Sequence, residues 1–296
     1  MISFIIPVKN ESKYISEALI NLIGGAGSKT FEVILVDDAS TDNTFDIVVE
    51  LTKSLPHVTI IKNPGKGKVE ALNAGYEKSS GEIIKCIDGD DILDRKFFDF
   101  LDLHEKYDAL YHNYDIVRSD LSYLNTYRPR PSFYNKGFEW VYENLVSLPR
   151  CVWSFNRSIA DKIFPMPTSL PFEDVWFSMS IKYYSQRLHY LDESLYKYRQ
   201  HSNQTYGGIL NFEPEINQFR AKRMLKVINT LETLDPFQQK NNFKLMNNYY
   251  HLIADQKGFL DVILAPIGVS LKAKIILLTY FRWMLPAISV LKWKLS

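Results

Sequence analysis

The rhythm of apolar and polar positions along this chain changes repeatedly, and each change predicts an element. Ser3 to Val8 is a short apolar run that reads as a strand. From Ser12 to Leu22 the apolar residues Tyr14, Ile15, Ala18, Leu19 and Leu22 recur at helical spacing. Gly24-Gly25-Ala26-Gly27 then predicts a flexible break. Phe31 to Val36 reads as a second strand and Thr44 to Leu55 as a second helix, with Ser40, Thr41, Asp42 and Asn43 offering N-cap groups. Val58 to Ile61 is a third strand, Val69 to Lys78 a third helix and Glu82 to Ile87 a fourth strand. Strand–helix alternation of this kind predicts an α/β fold with a mostly parallel central sheet covered by helices. Ligands of such sheets bind beyond the carboxyl ends of the strands.

The regular pattern ends near Asp94. From there to Gln200 the chain is rich in aromatics, among them Tyr107, Tyr111, Tyr114, Tyr123, Tyr127, Phe133, Tyr134, Phe138, Trp140 and Trp153. Most read as core or sheet packing, and a minority as walls of a sugar or acceptor pocket. Beyond about Asn211 the pattern is helical and more polar, with amphipathic helices predicted over Glu215 to Leu231 and Phe237 to Asp255. This divides the chain into a first domain, 1–210, and a helical C-terminal region, 211–296. Ile275 to Leu291 is nearly all apolar but holds Arg282 and Pro286, and it is short for a spanning helix. Lys272, Lys274, Lys292 and Lys294 flank it, and Trp283 and Trp293 sit within or beside it. We therefore expect 272–294 to form a helix lying in a membrane interface, against the alternative of a helix docked on the globular domain or a dimer partner.

Composition narrows the classes. The 296 residues are 46% apolar and 14% aromatic, enough for a sizeable core. The formal net charge is +1, from 35 basic and 34 acidic residues, so nothing points to a nucleic-acid partner. Two cysteines, Cys86 and Cys151, argue against a disulfide scaffold. The opening Ile2-Ser3-Phe4-Ile5-Ile6-Pro7 reads as a strand rather than a secretory signal, which predicts a cytoplasmic domain. With the basic, aromatic C-terminus, the expected location is the inner face of the cell membrane. A homo-oligomer is compatible with this composition.

The polar residues after the strands carry the chemistry. Lys9-Asn10-Glu11 follows the first strand, Asp37-Asp38 the second and Asp88-Gly89-Asp90-Asp91 the fourth. Acids crowded at one edge repel each other unless a cation or a hydrogen-bonding ligand lies among them. Hard cations such as Mg²⁺ and Mn²⁺ take oxygen ligands and share them with substrate phosphates. The other reading of Asp88 to Asp91 is an acidic helix N-cap.

Several segments together resemble inverting family-2 glycosyltransferases of the GT-A fold. They are Phe4-Ile5-Ile6-Pro7-Val8-Lys9-Asn10-Glu11, Val36-Asp37-Asp38 with the following Ala39 to Thr44, Lys66-Gly67-Lys68 with Asn73-Ala74-Gly75, Asp88-Gly89-Asp90-Asp91, and Phe172-Glu173-Asp174-Val175-Trp176. The resemblance covers roughly residues 1 to 205 and rests on the order and spacing of the motifs. It implies transfer of a sugar from a nucleotide-sugar donor, a UDP-sugar first, to a glycan or lipid-linked acceptor in polysaccharide biosynthesis. It places Pro7, Val8, Asn10, Glu11, Asp37 and Asp38 around the nucleoside, with Asp38 favoured over Asp37. It also offers Lys66 and Asn73 to the nucleotide, although Lys66 reads equally as an exposed loop lysine. Asp88-Gly89-Asp90 matches the DXD element of the family, which implies Asp88 and Gly89 at the ribose and Asp90 on Mn²⁺ or Mg²⁺. Asp174 is the implied base for the acceptor hydroxyl with Glu173 beside it, and the pair equally suits a helix start. Leu195 to Thr205 resembles the closing segment, in which Arg199 and His201 are offered to diphosphate or metal.

Two other functions remain open on the residues. A sugar-phosphate nucleotidyltransferase shares the α/β layout but carries a Gly-rich basic loop after its first strand, where this chain has Lys9-Asn10-Glu11. A catalytically inactive carbohydrate-binding scaffold would not need Asp88, Asp90 and Asp174 together.

Overall fold

The computed structural model describes residues 1–201, 213–238 and 243–280. They fall into two compact units, one of Met1–Val141, Val146–Thr168 and Phe172–Arg199, the other of Tyr142–Leu145, Ser169–Pro171 and the chain from Gln200.

Four parallel strands organise the first unit: β1 (Ile2–Val8), β2 (Phe31–Asp37), β3 (Val58–Lys62) and β4 (Ile83–Cys86). Their crossovers carry α1 (Ile15–Ala26), α2 (Thr44–Thr52) and α3 (Lys68–Lys78). Every residue of β1 is buried, and Ile15, Leu19 and Leu22 turn one face of α1 into the core. Each such side chain contributes about 1.5–3 kcal/mol by leaving water. The expected break at Gly24-Gly25 does not occur. The helix runs through both glycines, where a Cβ on Gly25 would only reach ordinary contact, 3.4 Å from the Phe98 ring, and it ends at Gly27, whose φ is 57°.

The rest of the sheet is antiparallel. After β5 (Ile92–Leu93) and a 3₁₀ stretch over Arg95–Glu105 come β6 (Ala109–Arg118), β7 (Tyr123–Tyr127), the short helices α4 (Pro131–Asn135) and α5 (Phe138–Asn144), and a 3₁₀ turn over Arg150–Val152. Then follow β8 (Trp153–Asn156), α6 (Arg157–Ile163), α7 (Asp174–Tyr184) and β9 (Leu188–Gln200). The sheet order is β3-β2-β1-β4-β8-β6-β9-β5, with β7 on the side of β6. Most of the aromatic middle is packing, as in the buried group of Tyr111, Phe133 and Trp153.

Register decides where the strands end. Val8 lies beside Asp37, and Ile5 beside Cys86, so the chains leaving β1, β2 and β4 emerge along one edge. Asp38 donates its N–H to the Val8 carbonyl at 2.9 Å, which keeps the first two tips together.

The second unit contains α8 (Pro214–Leu234), α9 (Lys244–Ala254), α10 (Phe259–Leu264) and α11 (Val269–Tyr280). The Gln218 side chain donates to the Ala254 carbonyl at 2.7 Å, tying α8 to the end of α9. Helix α9 begins later than the amphipathic pattern suggested, because Phe237 and Phe243 instead pack their rings on Tyr142. Of the helix expected over 272–294, residues 281–294 lie outside the described residues. No helix among the described residues is long and apolar enough to cross a membrane.

Candidate active site

The site starts from the ends of β1, β2 and β3. Asp38 is 7% exposed and accepts from the Asn63 side chain at 2.7 Å, the Gly67 N–H at 2.8 Å and the Lys9 ammonium at 3.3 Å. Asp37 turns the other way and accepts from the Ser40 N–H at 3.3 Å, which shapes the loop after β2. Asn10 takes the left-handed region at φ 56°, and its side-chain Oδ1 accepts from the Thr41 N–H at 2.8 Å. Pro7 and Val8 are buried in the last turn of β1 toward this edge.

The acid loop after β4 sits against β1 and α1 so closely that only glycine fits at its second position. A Cβ on Gly89 would lie 2.1 Å from the Glu11 carboxylate, 2.9 Å from Ile15 and 2.9 Å from Val8. The Glu11 Oε2 is buried with no partner. Burial, then Asp90 and Asp88, raise the Glu11 pKa well above the carboxylate range. Asp91 is not a free acid of the loop: it is 3% exposed and accepts from the Arg199 N–H at 2.7 Å. The Arg199 guanidinium is engaged within the protein. It donates to the carbonyls of Asp90 at 2.7 Å and Ser119 at 2.6 Å and to Glu17 at 2.7 Å, and so pins the backbone of the acid loop from behind.

The centre of the site is a residue that sequence reasoning passed over. Arg150, 4% exposed, forms ion pairs with Asp88 through one nitrogen and with Glu173 through another. Its backbone N–H donates to Asp174 Oδ1 at 2.9 Å. One arginine thus joins the DXD loop to the acid pair. Burial would raise the Asp88 carboxyl, but Arg150 and then Lys68 hold it well below the carboxylate range. Asp174 has the opposite balance: burial and the charge of Glu173 push it up to about 7. Glu173 is the N-cap of α7 and Asp174 its first residue, so the helix start fixes both carboxylates.

Lys68, not Lys66, reaches the acids. Its ammonium lies 2.8 Å from Asp88, while Lys66 is exposed and meets Glu70 through its backbone N–H. Burial and Arg150 work against the Lys68 charge, and Asp88 with Glu173 outweigh them and raise its pKa. Asn73 is turned away from the tips. Its amide donates to the Met166 carbonyl at 2.9 Å and accepts from the Met166 N–H at 2.8 Å. It clamps a loop, and both ends of its amide are engaged in doing so. His201 belongs to the second unit. Of the missed residues, Lys68 could have been found from its place in the Gly-flanked basic loop, but neither Asn63 nor Arg150 carries a signal in local spacing.

Among the described residues no three His, Cys, Asp or Glu side chains converge as a metal cage. A cation shared between protein and substrate needs less, since one or two carboxylates with substrate phosphates suffice for Mg²⁺. Asp90, whose charge acts on the orphaned Glu11 carboxyl, is the acid of this loop that could take that role.

A curved α/β sheet with acids and cations gathered at the carboxyl ends of its strands is the GT-A arrangement of a glycosyltransferase. The chain belongs to glycosyl transferase family 2, whose profile matches residues 3–164. It is 26% identical over 303 residues to glycosyltransferase GlyG of Streptococcus pneumoniae, covering 88% of this chain and 93% of that one. It spans only 53% and 42% of the length of two other curated relatives, each 26% identical. The fold is also similar to S. aureus TarS in complex with UDP-GlcNAc, at TM-score 0.57 and 18% identity over 95% of this chain and 82% of that one. The mannosyltransferase PcManGT of Pyrobaculum calidifontis, in complex with GDP-Man and Mn²⁺, gives TM-score 0.57 and 19% identity over 93% and 78%.

Proposed function

We propose that this glycosyltransferase moves a sugar from a nucleoside diphosphate sugar, a UDP-sugar first, onto a hydroxyl of a glycan or lipid-linked acceptor with inversion at the anomeric carbon. One observation carries the reading: Arg150 holds the donor-side acid Asp88 and the acid pair Glu173-Asp174 in one cluster. Asp38 with Asn63 and Lys9 forms a polar socket suited to a nucleoside base, since a carboxylate accepts from a ring N–H. Asp88 is kept ionised and can accept from ribose hydroxyls. Lys68 and Arg150 bring positive charge to the place where the diphosphate leaves. Asp90 would hold Mn²⁺ or Mg²⁺ together with the diphosphate oxygens, and His201 is offered as a further ligand by the family resemblance alone. A divalent cation, when bound, neutralises charge developing on the leaving nucleoside diphosphate. Asp174, with its carboxyl near 7, is poised to take the acceptor proton as that oxygen attacks.

The test is turnover of a panel of nucleotide sugars with Mn²⁺, with Mg²⁺ and with EDTA. We expect UDP release from at least one donor, and its loss in EDTA. A panel in which no donor is bound or turned over sinks the donor assignment.

The same reading puts the enzyme at the inner face of the cell membrane, close to a lipid-linked acceptor. Helix α10 exposes Phe259, Leu260 and Leu264, Val269 beyond it is 83% exposed, and Lys257 and Lys274 lie exposed nearby. Apolar and basic side chains together suit an anionic lipid surface. Flotation of the full chain on phosphatidylglycerol vesicles, against the full chain carrying Leu260→Ser and Leu264→Ser, checks this, with equal flotation counting against it.

A further inference from the structure

We propose that Lys85, on the strand behind the acid loop, is a positioning residue that sets Arg150 and through it Asp174; this rests on the glycosyltransferase reading only for its kinetic arm. Lys85 is fully buried in β4, and among the described residues no acid forms an ion pair with it. Its ammonium donates to the Cys151 carbonyl at 2.7 Å and approaches the Trp153 carbonyl at 3.4 Å. The third acceptor is His112 on β6, whose Nε2 lies 3.1 Å away. The tautomer follows from the other ring nitrogen. Nδ1 lies 2.7 Å from the Asn113 carbonyl and so carries the proton, which leaves the Nε2 lone pair to accept. In the protonated form three donors therefore meet three acceptors, and the face of the Phe97 ring covers the group at 4.5 Å, while burial pulls the Lys85 pKa down to about 7.

That arrangement is costly unless something uses it. A methionine would fill the same space without taking a charge out of water. What Lys85 holds is the turn Arg150–Val152 and the residue after it. Arg150 is the first residue of that turn, next to the carbonyl that Lys85 grips. The strand carrying Lys85 leads three residues later to Asp88, the partner of Arg150. Lys85 thus fixes the two sides of the Arg150–Asp88 pair to each other from beneath. The Arg150 N–H on Asp174 is the contact that a slack turn would lose.

This differs from general support of the core in one measurable respect. The Arg150 N–H favours the charged form of Asp174, so its loss raises that carboxyl further. The titratable and charged groups acting on Asp174 are Glu173, Arg150 and Lys68, with the Tyr114 hydroxyl facing it. Those facing Lys85 are His112, Cys151, Cys86 and His104.

The experiment follows the Asp174 carboxyl carbon by ¹³C NMR against pH, its signal assigned by its loss in Asp174→Asn. In Lys85→Met we expect the midpoint to move up by about one pH unit. In Lys85→Gln, which keeps a donor without the charge, we expect a smaller move in the same direction. For whichever donor the wild type turns over, kcat falls about tenfold in Lys85→Met with KM unchanged. A midpoint unmoved in both variants overturns the proposal. So does failure of both variants to fold, since the ammonium would then be an element of folding and not of positioning. Absence of any turnover by the wild type would count against the glycosyltransferase reading alone, because the NMR arm needs no substrate.

Discussion

The two halves of the site hold their carboxylates in opposite ways. On the parallel side, Asp38 accepts from three separate groups, the Asn63 amide, the Gly67 N–H and the Lys9 ammonium, all from the ends of adjoining elements. Where β4 meets the antiparallel β8, Asp88, Glu173 and Asp174 all lean on Arg150. The first design is redundant, and loss of one donor leaves two. The second is concentrated, and one residue holds the Asp88 charge and fixes the place of Asp174 together. Redundancy suits a socket that must hold a ligand of fixed shape. In the reaction proposed above, concentration suits a centre where departure of a diphosphate and attack by a hydroxyl occur at one carbon.

The comparison breaks most sharply at Arg150. In Arg150→Met two buried carboxylates lose their cation, and we expect a stability loss of about 3–5 kcal/mol by urea unfolding. Lys68→Met removes a cation from the same Asp88, but that lysine side chain is 47% exposed and solvent screens the pair. There we expect about 0–1 kcal/mol. Equal losses in the two variants would mean that the arginine is not the point of concentration. Asp174→Asn tests the chemistry without the charge collapse. Turnover should fall about 10²–10⁴-fold, with nucleotide affinity in calorimetry unchanged. Full activity in that variant would remove Asp174 as base.

The same contrast explains what the sequence disclosed. The parallel side was legible because each of its acids follows a strand directly, and strand ends are set by local apolar runs such as Phe4 to Val8 and Ile83 to Ile87. Register then does the rest, as Val8 beside Asp37 demonstrates. Gly89 was legible only as the middle of the Asp88-Gly89-Asp90 match, and the structure supplies its reason in the close approach of the Glu11 carboxylate. Arg150 was not legible. It lies in an irregular aromatic stretch, and its function depends on β8 pairing antiparallel with β4, a long-range contact that no local period encodes. Arg199 shows the same dependence on long-range contacts. Its motif pointed to ligand contact, but its three donor groups are taken by Asp90, Ser119 and Glu17, which are far apart in sequence.

A milder perturbation is pH. The Asp174 carboxyl stands at about 7 against an ordinary 3.8. A base must be deprotonated, so turnover should rise with pH and level off above about 7, losing about tenfold per pH unit well below it. Stability runs the other way in this window. Between 3.8 and 7 the folded protein keeps a proton on Asp174 that the unfolded chain has released, so this group contributes stability that is lost as pH rises toward 7. Asp88 has the opposite sign. Its lowered carboxyl contributes stability above the ordinary value that is lost as pH falls below it. Activity and melting temperature measured over pH 5 to 8 should therefore slope against each other in the wild type, and Asp174→Asn should flatten the stability slope.

The smallest effect on turnover separates a clamp from a ligand. Asn73 exchanges two bonds with the Met166 backbone, and Met166 is 2% exposed. Asn73→Ala leaves a buried N–H and a buried carbonyl without partners, which costs about 1–3 kcal/mol and lowers the melting temperature by about 4 °C. If the residue serves only that loop, KM for the donor and kcat stay within about twofold, as expected when neither the ground state nor the transition state loses a contact. A tenfold rise in KM without a change in kcat would return Asn73 to the nucleotide. It would also mean that the amide exchanges Met166 for the donor on binding, so that the α3 side of the site is rebuilt when the substrate arrives while the Arg150 side is not.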